Sequence, residues 1–589
     1  MKDFFKYVFA SLVGLVVFSI LVSIISVLSL VGMVASSNAS ASIGSNSVLS
    51  INLSGNYEER AADNLFASFL GDYYSSNGLA ETLSAIRKAK DNKNIKGIYL
   101  EAGLLAADFA QAEELRDALK DFRSSGKWIV AYADSYTAKA YYICSVADKV
   151  YLNPSGMIDW HGIGAQPIYV KDLLAKFGVR MQVLKVGKYK SATEMFTEEK
   201  MSDADRQQTQ AYISGLWSNV CKAVSESRKV SVASLNTYAD SLITFSAPTD
   251  YVKMKLVDKL LYADEVKAEV KKRLGLDEDK PVSQVSVSDM ASVSEKKKGG
   301  EIAVYYAFGD IVDTPAEGLA GQESHQIVGP DVCSDLEDLM TDDDVKAVVI
   351  RVNSGGGSAY ASEQIWHQVE RLKAKKPVVV SMGGMAASGG YYMSCGANYI
   401  FAEPTTLTGS IGIFGMIPDV SQLLTQKLGV KFDEVKTNRN ATFGTPSRPM
   451  SDEEQRLMRA YIDRGYDLFC KRVAQGRHMS QQRVNSLAQG HVYLGQDALP
   501  LKLVDELGGI NKAVAKAAAL AKLKEWHTTA YPAPASWLDE LATTSTVDNY
   551  LSDKLRASMG EYYEPFMLLK SLSSQSAIQA RIPYWINLK

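Results

Sequence analysis

The chain has 589 residues, more than one ordinary core holds, with 64 Lys and Arg against 67 Asp and Glu and a formal charge of −3. Hydrophobic residues at 46% and charged residues at 22% exclude wholesale disorder and fibrous classes, and no basic excess or stripe marks a nucleic-acid binder. Five cysteines (Cys144, Cys221, Cys333, Cys395, Cys470) make no CxxC pair and six histidines no HxxxH pair, so neither a disulfide framework nor a structural zinc site is expected; the cysteines read as small buried hydrophobes.

No charge occurs between Tyr7 and Tyr57, and residues 9–35 are dense in Val, Leu, Ile and Phe. This run exceeds the roughly 7–15 residues of a secretory apolar segment and reaches the ~20 that a spanning helix needs. Lys2 and Lys6 precede it, and no Lys or Arg follows until Arg60. The positive-inside rule then places the N-terminus in the cytoplasm and the body outside. Residues 1–45 are expected to be a cytoplasmic tip and one transmembrane helix. The alternative is a cleaved signal peptide, with Ala39-Ser40-Ala41 as the small-residue tripeptide.

The body repeats itself. Ala140-Tyr141-Tyr142, followed by Ala147-Asp148-Lys149-Val150-Tyr151-Leu152, matches Gly390-Tyr391-Tyr392, followed by Ala397-Asn398-Tyr399-Ile400-Phe401-Ala402, 250 residues on. The same offset pairs residues 94–100 with 344–350. Met201-Ser202-Asp203 matches Met450-Ser451-Asp452, and Leu256-Val257-Asp258 matches Leu503-Val504-Asp505. Two copies of one fold are expected, an N-terminal repeat over 46–290 and a C-terminal repeat over 300–525. Residues 277–300 form a polar seam and 526–589 a tail. In the second copy, 346–353 reads as a strand, 354–358 as a Gly-rich turn and 361–372 as a helix. Pro377 then opens an apolar strand, and helices follow over 451–475 and 511–523. Strands alternating with helices imply an α/β fold of βαβ units with mostly parallel sheets.

Two segments could carry chemistry. Met385-Ala386-Ala387-Ser388-Gly389-Gly390-Tyr391 joins an apolar strand to a helix. A serine there is placed as a nucleophile, and the Gly389 N–H is placed for an oxyanion; a small-residue packing face is the plain alternative. Asn353-Ser354-Gly355-Gly356-Gly357-Ser358 could aim a second backbone N–H into the site, or be only a turn. A serine nucleophile needs a base, and no histidine motif accompanies it. Ser388 corresponds to Ala138, and Gly356 and Gly357 to Ala106 and Ala107, so the first copy lacks both features. The first copy instead holds Tyr189-Lys190-Ser191-Ala192, whose lysine falls opposite Arg439 or Asn440. Each copy holds what the other lacks, which points to one composite site. A lysine base must be neutral, which requires desolvation or neighbouring positive charge.

Ala387-Ser388-Gly389-Gly390-Tyr391, the 354–358 loop, Thr408-Gly409-Ser410-Ile411-Gly412 and Tyr189-Lys190-Ser191-Ala192 resemble the signal peptide peptidase A (protease IV) family in its long, tandem-duplicated form. The resemblance implies a Clp/crotonase-like fold in duplicate. It implies Ser388 as nucleophile, Lys190 as general base and Ser410 as the group orienting the lysine amine. Gly389 and Gly357, or Gly356, would form the oxyanion hole. Ser410 as a simple helix cap is the alternative. The sequence carries Gly355 where the family often has proline. Implied further are a homotetramer on the outer face of the cytoplasmic membrane and signal peptides or other apolar peptides as substrates. No metal, nucleotide or other cofactor is implied, and no nucleic-acid partner. A crotonase-type enzyme acting on acyl thioesters would need no essential serine. A non-catalytic membrane scaffold would need neither Ser388 nor Lys190.

Overall fold

A computed structural model describes residues 43–61, 77–315, 325–533 and 578–582, with scattered positions before residue 25. Most of the expected anchor lies outside the described residues. Among the described residues no helix is long and apolar enough to cross a membrane.

The first copy is built on parallel strands β1 (Ser47–Glu58), β2 (Ile95–Ala106), β3 (Trp128–Ala133) and β4 (Lys149–Leu152), adjacent in that order. Helices α1 (Leu79–Asp91), α2 (Phe109–Arg123) and α3 (Ala138–Cys144) connect them. A further strand, β5 (Arg180–Lys185), leaves this sheet altogether, and the long α4 (Asp203–Arg228) follows it. The second copy repeats the plan with β6 (Gly300–Phe308), β7 (Asp310–Val312), β8 (Val345–Ser354), β9 (Gly356–Ser358) and β10 (Val378–Ala387). The strand β8 starts at 345 against 95 for β2, and β10 at 378 against 128 for β3, so the offset of 250 is a structural one. Helices α5 (Ala359–Lys373), α6 (Gly389–Ser394) and α7 (Asp452–Gly476) follow the same order. Later strands are β11 (Leu407–Gly409), β12 (Phe414–Asp419), β13 (Trp526–Tyr531) and β14 (Ile578–Arg581).

Local chemistry explains why the matching sequence segments recur. The serines of the two Met-Ser-Asp motifs are N-caps: Ser202 accepts from Asp205 N–H to start α4, and Ser451 accepts from Glu454 N–H to start α7. The two Leu-Val-Asp motifs fasten a sheet edge. Asp258 accepts from the Val150 N–H and Asp505 from the Ile400 N–H, each at 2.8 Å. Each is also paired with an arginine that closely follows the long helix, or ends it: Arg228 with Asp258 and Arg477 with Asp505. The central strand β8 is buried along nearly its whole length, as a parallel strand covered on both faces must be. The α5 side chains Ile365, Trp366, Val369 and Leu372 pack onto the second copy's core.

Three segments carry strands that their sequence reading did not specify. The seam at 277–300 is not a bare linker, because Gln284 and Val285 pair in parallel with Val48 and Leu49. The tail opens with β13, which pairs in parallel with β6 from Gly300 to Tyr305. The expected 354–358 turn contains strand β9, because neighbouring strands lie along both of its edges. A third, mixed sheet results, with the order 326–328, β7, β9, β14, β12, β5. It joins both copies and the tail. The tail aromatics Tyr562, Tyr563, Phe566, Tyr584 and Trp585 lie outside the described residues. Four of the five cysteines are buried and Cys333 is half-buried, all free thiols.

A buried polar cluster lies where the copies meet. Arg351, 1% exposed, ion-pairs with Glu59 at 2.7 Å and Glu114 at 2.5 Å, both from the first copy. Asn353 donates to Glu59 and to Asp108, and accepts from the Met385 N–H on β10. Nearby, Glu113 accepts from the Thr405 hydroxyl of the second copy at 2.6 Å. Burial, reinforced by Asp117 and Glu114 and only partly offset by Thr405, pushes the Glu113 carboxyl up to about 7. An unfolded glutamate loses its proton near ~4.3. Between those values the folded chain holds a proton that the unfolded chain has released, so stability falls as pH rises through that window. Glu113→Gln is therefore expected to stabilise the protein at pH 8 by about 1–3 kcal/mol and to leave it unchanged at pH 4. Thermal unfolding at both pH values checks this; an equal gain at pH 4 would mean that ionisation is not the cause.

Candidate active site

Ser388 stands between β10 and α6 with φ 54° and ψ −113°, a left-handed backbone that a serine adopts only when its surroundings impose it. Its N–H donates to the Gly409 carbonyl at 2.8 Å, and its carbonyl accepts from the Tyr392 N–H at 2.8 Å. These two bonds fix the bend between strand and helix. The side chain is fully buried.

Lys190 reaches Ser388 because β5 crosses to the second copy. It runs antiparallel to β12, pairing Lys185 with Phe414 through Arg180 with Asp419. Beyond β5, Val186 N–H donates to the Ile413 carbonyl and Tyr189 N–H to the Gln489 carbonyl, which carry the loop under Ser410. Two glycines make room. A Cβ on Gly490 would stand 2.6 Å from the Lys190 backbone nitrogen, and one on Gly412 would stand 3.2 Å from the Lys190 Cδ. Gln208 on α4 donates to the Tyr189 carbonyl and the Ser191 hydroxyl, each at 3.1 Å, and holds the loop from behind.

The Lys190 amine lies 2.7 Å from Ser388 Oγ and 3.1 Å from both the carbonyl and the hydroxyl oxygen of Ser410. A neutral amine has two N–H groups and one lone pair. Donation to Ser410 through both N–H groups leaves the lone pair for the Ser388 O–H. Burial holds the Lys190 amine well below its ordinary value, and no carboxylate opposes this. An uncharged lysine touching a serine hydroxyl in a water-poor site can accept that proton.

The glycine loop lies alongside. A Cβ on Gly356 would fall 2.8 Å from the Gly389 nitrogen, so the two backbones approach as only glycine permits. The Gly356 N–H already donates to Ser354 Oγ at 3.1 Å. That leaves Gly357, whose N–H faces β14 in the β9–β14 ladder. The structure thus brings Lys190, Ser388, Ser410, Gly389 and Gly357 together, and it commits Gly356 to a bond inside the loop. Sequence reasoning missed Gln208, Gly412 and Gly490. Gly412 stood within a motif it had quoted, whereas Gly490 and Gln208 carry no local signal. Beside the Lys190 loop is a small cavity of about 40 Å³ lined by Ile168, Tyr169, Ala192, Met195 and Met201, with Glu194 and Asp205 among its walls.

The sequence profile of peptidase family S49 matches the chain twice, over residues 121–277 and 370–524. The chain belongs to peptidase family S49. It is accordingly a serine peptidase, a hydrolase with an α/β fold in tandem. The Clp protease profile also matches residues 318–406, the stretch holding the glycine loop and Ser388. Protease 4 of Salmonella typhi is 38% identical over 519 residues, covering 86% of this chain and 82% of that protein. Protease 4 of Haemophilus influenzae is 34% identical over 487 residues, covering 80% and 77%. The chloroplastic serine protease SPPA of Arabidopsis thaliana is 29% identical over 445 residues, covering 74% and 64%.

Proposed function

We propose that this S49 peptidase is a membrane-anchored endopeptidase working through a Ser388–Lys190 dyad, with signal peptides left in the membrane, and other apolar peptides, as its substrates. The observation that carries the reading is the 2.7 Å contact between a buried, charge-disfavoured amine and a serine held in a strained bend. In this mechanism Ser388 Oγ attacks the peptide carbonyl as its proton passes to Lys190. The Gly389 and Gly357 N–H groups hold the oxyanion, and Ser410 keeps the amine aimed. Lys190 then gives the proton to the leaving amine, and later takes one from the water that hydrolyses the acyl-enzyme. Each repeat supplies part of one site: 46–290 the base, 300–525 the nucleophile.

Residues 9–35 serve as the single-pass anchor, with the N-terminus inside and the catalytic body on the outer side of the cytoplasmic membrane. The mainly apolar cavity beside Lys190 suits apolar side chains. Assembly as a homotetramer belongs to the same reading. Its support is the exposed apolar surface of Phe177 and Leu428, on segments joined by the Leu423 N–H to Gly178 carbonyl bond.

The test is cleavage of a fluorogenic apolar peptide by the purified full chain and by Ser388→Ala, with covalent labelling by a fluorophosphonate read alongside. Loss of cleavage by ~10³-fold or more in Ser388→Ala is expected. Undiminished cleavage would sink the reading, whatever the labelling.

A further inference from the structure

Strand β14 comes from the end of the chain and lies inside the groove of the candidate active site. On one edge it pairs antiparallel with β9, setting Gln579 against Ser358, Ala580 against Gly357 and Arg581 against Gly356. On the other edge it pairs antiparallel with β12, setting Ile578 against Gly415 and Gln579 against Phe414. An extended segment clamped between two strands is how a groove binds a peptide through its backbone.

The register matters more than the pairing. The Ile582 N–H donates to the Gly355 carbonyl at 2.9 Å. In an antiparallel ladder the bonded pairs alternate, so the next bonded pair is Gly357 with Ala580. The Gly357 N–H therefore faces the Ala580 carbonyl. A Cβ on Gly389 would stand 3.1 Å from that same carbonyl oxygen, and one on Gly356 only 2.0 Å from it. The Ala580 carbonyl thus occupies the cradle assigned above to the oxyanion. Ala580 is 0% exposed and Ile582 1%. Beyond the carbonyl, Arg581 ion-pairs with Asp310 at 2.5 Å.

We propose that residues 578–582 are the protein's own inhibitory strand, an intramolecular peptide seated where an extended substrate would bind, with Ala580 at the scissile position. The proposal rests on the Ser388–Lys190 reading for where the substrate carbonyl sits. Being covalently attached, the strand competes at an effective concentration of order millimolar, so a free peptide that binds in the micromolar range is excluded. Arg581 and Ile582 anchor the far side of the Ala580–Arg581 bond. An amine released there by acylation of Ser388 stays beside the acyl carbon and re-forms the bond, so the strand acts as an inhibitor and not as a consumed substrate.

The test uses the Ser388→Ala background, where turnover does not confuse binding. The probe is a fluorescein-labelled nonapeptide of sequence Ser-Ala-Ile-Gln-Ala-Arg-Ile-Pro-Tyr, read by anisotropy. The full chain is compared with one lacking residues 578–589. A second full-length variant, Ala580→Trp, carries a side chain that the buried position cannot seat. Both altered chains are expected to bind the probe at least ~10-fold more tightly than the intact chain. Equal affinity for all three, or binding to none, overturns the proposal. Undiminished peptidase activity in Ser388→Ala would instead defeat the dyad reading, a separate result.

Discussion

Replacing Lys190 by methionine is expected to cut peptide hydrolysis by ~10³-fold or more and, at neutral pH, to make the protein more stable. Methionine keeps the apolar stem between Gly412 and Gly490 and removes only the amine. The activity loss follows from taking away the group that accepts the Ser388 proton in the proposed dyad. The stability gain follows from linkage. In the unfolded chain a lysine stays protonated up to about 10.4. Burial holds the folded-state value well below that. Between the two values folding must expel a proton, so the cost of burying Lys190 grows as pH falls from ~10.4 and levels off below the folded value. Lys190→Met escapes this cost. Its melting temperature should exceed that of the unaltered chain at pH 7, with the difference closing toward pH 10. In the unaltered enzyme kcat/KM should rise with pH through the depressed lysine value. Lost activity without a stability gain would mean that the resting amine is charged; retained activity would mean that Lys190 is not the base.

The second large effect is expected far from the serine. Arg351→Met should destabilise the protein by about 3–5 kcal/mol, because it leaves the buried Glu59 and Glu114 carboxyl groups without their cationic partner. Glu59 and Glu114 are 2% and 4% exposed at the side chain and come from the first copy, whereas Arg351 sits on β8 of the second. The loss should deepen as pH rises, since burial raises the Glu114 carboxyl and its protonation at low pH removes one of the stranded charges. The triple variant Arg351→Met, Glu59→Gln, Glu114→Gln should recover most of the stability, because no charge is left unpaired. Denaturant titrations of the two variants decide this. If the triple variant is no more stable than the single one, packing and not charge explains the loss. The cluster also bears on catalysis. It clamps the two copies together at Asn353 and β10, the strand that leads into Ser388, so its loss should misalign Lys190 as well.

Much of this was legible in sequence because duplication supplies its own control. Where the copies agree at Ser202 and Ser451 the shared residue is a helix cap, and at Asp258 and Asp505 it fastens a sheet edge. Wherever they disagree in opposite directions, as at Ser388 against Ala138 and at Lys190, the residues lie together in space. What stayed hidden has a physical reason in each case. Glu59 is one more acidic residue at a strand end, and only the fold shows that it meets Arg351, 292 residues away. The 354–358 segment reads as a turn because its glycines disfavour a strand in isolation, and only partners on both edges make β9 one. Strand β14 is four residues long, with no periodicity to detect. Gly490 is one glycine among 42, and its purpose shows only against the Lys190 backbone.

The contact between Lys190 and Ser388 spans 198 residues of chain. Under the proposed dyad this separation is also a delay during synthesis. A ribosome adding 5–20 residues per second needs roughly 10–40 s to pass from the base to the nucleophile. Throughout that interval the emerging polypeptide holds a lysine with nothing to deprotonate. The first repeat, released alone, should therefore be incapable of hydrolysing peptides, and so should the second. Mixing the separately produced halves should give activity only to the extent that β5 finds β12. A hydrolase divided in this way would stay harmless to neighbouring unfolded chains until its own sequence has been read out.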